Sequence, residues 1–226
     1  MIKSKLKRFG NMIGQYTGLF VLSMLPFTVQ AQDEAWKKVQ LADALQAAPA
    51  VVTDMAKIYA WNDDAEMIMI RDGDGPFVCV ASGLLSTRVG KPALPFPDPA
   101  CFDQNAWAFF QAFWAESNPM KPSKPYPTAP GLVWMLGGMA VADGMVQVGS
   151  DKEAEVAVMD TGNKMVRLSP HLMIMPLPVK DGDNVMIGKY QTDHPHANWT
   201  MFANTPLEHL MVHFTDEETD RIMQPE

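Results

Sequence analysis

Eight short segments, none longer than seven residues, recur along this chain with apolar side chains at alternate positions or in one unbroken run. They are Lys57–Trp61, Glu66–Arg71, Phe77–Ala81, Leu132–Leu136, Glu155–Met159, His171–Pro176, Trp199–Ala203 and Glu208–Phe214. Runs this short cannot bury themselves as helices. They read as strands and must pair with one another. Only two stretches carry the helical period. In residues 34–48, Trp36, Val39, Leu41, Leu45 and Ala48 approximate one stripe, and Pro49 ends it. From Asp103, a residue suited to an N-cap, to Glu116, the side chains of Trp107, Phe110, Phe113 and Trp114 fall on one face. The pattern predicts a single α+β domain, a mostly antiparallel or mixed sheet with two main helices packed on one side of it. Asp72-Gly73-Asp74-Gly75 and Asp181-Gly182 read as hairpin turns, and the proline-rich stretches 86–100 and 117–130 read as loops.

The N-terminus bounds the compartment. Lys3, Lys5, Lys7 and Arg8 precede an apolar run from Gly18 to Phe27, and Val29-Gln30-Ala31 ends it with small residues at the peptidase positions. This is the layout of a secretory signal. The run is shorter than the ~20 residues a membrane-spanning helix needs. Residues 1–31 are therefore expected to be removed, leaving a 195-residue globular domain, 32–226, in the periplasm or secreted, with no stable membrane insertion. The leader takes four of the 18 basic residues and none of the 26 acidic ones. What remains has 14 basic against 26 acidic residues, a net charge of −12. Such a surface repels phosphate backbones, and nucleic acid is excluded as a partner. Two cysteines, Cys79 and Cys101, in an exported chain predict one disulfide.

No Gly-x-Ser-x-Gly elbow, phosphate-binding glycine loop, His-Glu-x-x-His or Cys-x-x-Cys motif occurs. The histidines stand out instead. All five lie between residues 171 and 213, and two strand segments read His171-x-Met173-x-Met175 and His209-x-Met211-x-His213. Side chains at i, i+2 and i+4 share one face of a strand, so each strand presents a row of imidazole and thioether groups. Neighbouring rows would converge on one polar site. Imidazole with thioether suits copper(I), and imidazole alone suits zinc or copper(II). The candidate ligands are His171, His209, His213, Met173, Met211 and the carboxylate of Asp103. The competing expectation is a core in which some of the 18 methionines fill space and the histidines are hydrogen-bonded. His194-Pro195-His196 is a further loop candidate.

Cys101-Phe-Asp103, Pro170-His171-Leu-Met173 and Pro206-Leu-Glu-His209-Leu-Met211-Val212 together resemble the motifs of a group of uncharacterised exported bacterial proteins with no assigned activity. The resemblance runs from about Ala50 to Phe214 and implies export and a shared fold. His213 departs from the pattern, which has proline there. Three functional classes fit: a binding or structural protein acting through a small ligand or protein partner, a copper or zinc protein using His171 and His209, and a metal-dependent hydrolase adding Asp103. The first asks for no constellation of residues, and the distances between the imidazoles decide among the three.

Overall fold

The computed structural model describes residues 25–64, 66–82, 97–142, 165–177, 198–202 and 204–224. Residues 1–24 of the expected leader, the segment Glu155–Met159, the expected turn at Asp181-Gly182 and the pair His194/His196 lie outside them. Strands β1 (Lys57–Trp61), β2 (Met67–Arg71), β3 (Val78–Val80), β4 (Ala100–Phe102), β5 (Gly131–Met135), β8 (His171–Met175), β9 (Trp199–Met201) and β10 (His209–His213) form one eight-stranded sheet. Its order is β2-β1-β3-β4-β5-β8-β10-β9. A separate two-stranded sheet joins β6 (Met139–Ala142) to β7 (Met165–Leu168). The large sheet is mixed: β1 and β3 run parallel, and the other neighbours run antiparallel. With helices α1 (Leu25–Ala44), α2 (Ala50–Thr53), α3 (Gln104–Trp114) and α4 (Asp216–Met223), this is an α+β fold. No described helix is long and apolar enough to cross a membrane.

Three expectations are corrected. First, the Asp72–Gly75 segment is not a hairpin turn. β2 pairs with β1, and the chain then passes back so that β3 lies parallel to β1 on its other side. The crossover runs tight against the α2–β1 junction. The Gly75 amide donates to the Met55 carbonyl at 2.8 Å. A Cβ at Gly73 or Gly75 would collide with the backbone of Met55 and, at Gly73, of Ala56 as well. The glycines are there for close approach. Second, the helices cover both faces. Ile58, Ala60, Cys79 and Cys101 pack with Ala44, Ala47 and Val52 from the α1–α2 side. Val80, Phe102, Val133 and Met135 point the other way, onto Ala106, Phe109 and Phe110 of α3. The first helix also ends earlier than Pro49 suggests. It stops at Ala44, a single 3₁₀ turn spans Leu45–Ala47, and Pro49 instead opens α2.

Asp103 ties the start of α3 to the sheet. Asp103 Oδ1 accepts from the Ala106 amide at 2.8 Å, which caps the helix, and Oδ2 accepts from the Leu132 amide of β5 at 2.9 Å. The helix then lays Trp107 on Tyr59, with ring centroids 5.5 Å apart and nearly parallel. Across the middle of the sheet Cys79 and Cys101 are directly paired residues with Cα atoms 4.0 Å apart, and they form a disulfide-bonded pair buried under α1. Linking residues 22 apart in sequence restricts the unfolded chain, and the chain-entropy treatment gives about 3 kcal/mol for such a loop. Oxidised protein should therefore show no free thiol when denatured. Reduction should lower its urea unfolding midpoint by the equivalent of ~2–4 kcal/mol; two titratable thiols in oxidised material would remove the bridge from the fold.

Candidate functional site

The histidine strands β8 and β10 are antiparallel neighbours, and each alternates between buried and half-buried residues. The buried set is His171, Met173 and Met175 on β8, and His209, Met211 and His213 on β10. These side chains share the face that packs toward α3, where Met173, Met175 and Met211 join the main core. The register sets their order. Met135, His171 and His213 lie in one row across β5, β8 and β10. Val133, Met173, Met211 and Trp199 form the next row, from β5 to β9. His209 lies in the third, directly opposite Met201 of β9.

Five of the six sequence-predicted ligands thus come to one face, but the three imidazoles differ in what they have left to offer. His213 is fully engaged. The Trp199 indole N–H donates to its Nε2 at 2.7 Å, so that nitrogen carries no proton. The proton is then on Nδ1, which donates to Ser169 Oγ at 2.8 Å. The Trp199 and His213 rings are also nearly parallel. His213 is a satisfied core histidine and leaves the donor set.

His171 and His209 are built alike and differently from His213. Each uses Nδ1–H to donate to the backbone carbonyl two residues before it, His171 to Ser169 and His209 to Leu207, both at 2.7 Å. That bond fixes the neutral tautomer with a bare lone pair on Nε2. Both Nε2 atoms are buried, and neither has a hydrogen-bond partner. Burial is the main reason both rings resist protonation. It pulls His171 down to about 3, helped by the neighbouring His213 5.3 Å away, opposed by the Ser169 carbonyl, and helped again, more weakly, by His209. It pulls His209 down to about 4 against the Leu207 carbonyl.

His171 and His209 stand in different rows of the sheet. His209 and His213 are four residues apart on β10, about 14 Å at strand rise, and His171 sits opposite His213. Because β8 and β10 run in opposite directions, the bonds to Ser169 and Leu207 draw the two rings toward opposite ends of the strand pair. Met173 and Met211 face each other in the row between. Asp103 does not join them, since both its carboxylate oxygens hold α3 and β5. Among the described residues no group of three or more His, Cys, Asp or Glu side chains is gathered around a common metal position.

Methionines are the direct cross-strand partners of the two histidines. Met135 is the direct cross-strand neighbour of His171, and Met201 that of His209; both are buried. Phe202, in the left-handed turn that ends β9, lies with its ring centroid 5.9 Å from that of His209. Met135 was not among the ligands predicted from sequence, because its strand carries no histidine. An open cleft of about 660 Å³ lined by Lys57, Asp72, Asp74 and Gln104 lies beyond β3 and β4, away from the histidine strands.

No family model, no curated protein and no solved structure matches this chain.

Proposed function

We propose that this chain is an exported metal-binding protein whose nitrogen donors are Nε2 of His171 and Nε2 of His209. The observation that carries the reading is the pair of buried, unpartnered lone pairs. Buried polar atoms in folded proteins are almost always hydrogen-bonded, and an exception needs a cause. His213 provides the internal comparison: on the same face, a structural histidine has both ring nitrogens paired. A metal-ligating histidine has the other arrangement, with one N–H anchored on a carbonyl or carboxylate and the second nitrogen free for the ion. His171 and His209 both have it.

Export is supported by the leader and by the buried Cys79–Cys101 pair. Binding is favoured over hydrolysis because a catalytic zinc takes three protein donors and an open position. The carboxylate that would have completed such a set, Asp103, is spent on helix α3.

The test uses exported protein without a histidine tag. Its N-terminus should be Gln32, and after equilibration with zinc(II) or copper(I) and gel filtration it should retain metal. The double variant His171→Leu/His209→Leu should retain none while keeping its near-ultraviolet circular dichroism. Wild-type protein that retains neither metal, or a folded double variant that retains as much as wild type, would overturn the proposal.

A further inference from the structure

Resting on that reading, we infer that the cargo is cuprous copper, held as two separate ions, one between His171 and the Met135 thioether and one between His209 and the Met201 thioether. Three features of the buried face lead there.

The first is separation. One ion bridging two imidazoles needs their nitrogens about 4 Å apart, twice a metal–nitrogen bond of ~2.0–2.1 Å. The residues instead stand at opposite ends of the β8–β10 pair, their rings are anchored in opposite directions, and the Met173/Met211 row lies between them.

The second is the donor set. Directly paired residues on adjacent strands bring their side chains within reach of each other. The register pairs Met135 with His171 and Met201 with His209. His171 has one other direct neighbour, His213, whose nitrogens are committed. Each histidine is therefore paired across the strands with a residue carrying soft sulfur, the ligand type that selects copper(I). The methionines of the edge strand β2 make a useful contrast. Met69 is 48 % exposed, while Met135, Met173, Met201 and Met211 are all below 5 %.

The third is charge. Both nitrogen donors are neutral, the thioethers are neutral, and among the described residues no group of three or more His, Cys, Asp or Glu side chains is gathered around a metal position. The cost of burying an ion rises with the square of its charge. A dication such as zinc(II) would keep its full charge in this layer, whereas copper(I) brings a quarter of the charging cost and accepts few ligands.

The experiment is an anaerobic titration of the mature protein with copper(I) against a competing chromogenic chelator. Two ions per chain are expected. Met135→Leu and Met201→Leu are near volume-conserving, and each should weaken one of the two ions by at least ~10-fold and leave the other unchanged. X-ray absorption of the loaded wild-type protein should show both nitrogen and sulfur around copper, which keeps the question answerable if a variant does not fold. A single copper lost on removing either histidine would overturn the two-site assignment. Nitrogen-only coordination, or unchanged copper(I) affinity in both folded methionine variants, would overturn the thioether assignment. Retention of zinc(II) at His171 and His209 without copper(I) would overturn this inference and leave the metal-binding function standing. Retention of neither metal would overturn both.

Discussion

Metal-free protein should lose stability steeply as the pH falls from about 6.5 toward 4, at ~2–3 kcal/mol per pH unit. The sign follows from His171 and His209. In the unfolded chain both imidazoles titrate near 6.5. In the folded chain burial holds them at about 3 and about 4. The folded state therefore binds fewer protons than the unfolded state throughout this interval, and stability falls with falling pH. Their contribution is complete above about 6.5 and is lost as pH drops through the window toward the folded values. Each proton taken up on unfolding contributes about 1.4 kcal/mol per pH unit. Two other charge effects do not imitate the trend. Exposed carboxylates titrate mainly below pH 5, and acidification relieves the self-repulsion of a chain with net charge −8. Urea unfolding at pH 7, 6 and 5 with a chelator present measures the slope. A His209→Asn variant should show about half of it. A flat stability profile between pH 6.5 and 5 would mean that the two rings are not held neutral by burial.

The same two residues show how far the sequence could be read. The His-x-Met alternation placed His171, Met173, His209 and Met211 on strand faces, because a period of two is a local property of the backbone. Which nitrogen is left free is not local in that sense. The Trp199–His213 bond depends on how β9 is set against β10, and the Met135 pairing depends on β5 lying beside β8, a partner 36 residues earlier in the chain. Neither register is written in the spacing of one strand.

The fold divides in the same way. β1, β2, β5, β8, β9 and β10 stand close to their expected places because each is a run of apolar or alternating residues bounded by turns. β4 is only Ala-Cys-Phe after a proline-rich stretch, too short to show a period. The Asp-Gly turn was misleading because a turn signal records a change of direction and not which strand is met afterwards. The two-sided helix packing did leave a trace. Phe77–Ala81 is an unbroken apolar run, and Val78, Cys79 and Val80 are all buried, as a strand covered on both faces requires.

The largest loss of stability from one methyl group is expected at Gly131. This residue starts β5 beneath the first turn of α3. A Cβ there would collide with the Ala106 backbone nitrogen and lie 2.7 Å from both Ala106 Cα and Asp103 Oδ1. None of these can step aside cheaply. The first two are helix backbone, and the carboxylate is held by the Ala106 and Leu132 amides. Gly131→Ala should therefore cost more than ~3 kcal/mol, the upper end for ordinary overpacking. Asp103→Ala removes the same junction from the other side. It loses the α3 cap, worth about 1 kcal/mol, and leaves the Leu132 amide without its acceptor, worth a further ~1–3 kcal/mol. Asp103→Asn keeps the cap oxygen but cannot accept from both amides, so it should fall between wild type and alanine. Chemical denaturation of the three variants gives the order Asp103→Asn, Asp103→Ala, Gly131→Ala in increasing cost. Metal retention separates a helix cap from a ligand: folded Asp103→Asn should load as much metal as wild type. A folded Asp103→Asn that loads none would return this carboxylate to the donor set, from which the Ala106 and Leu132 amides now exclude it.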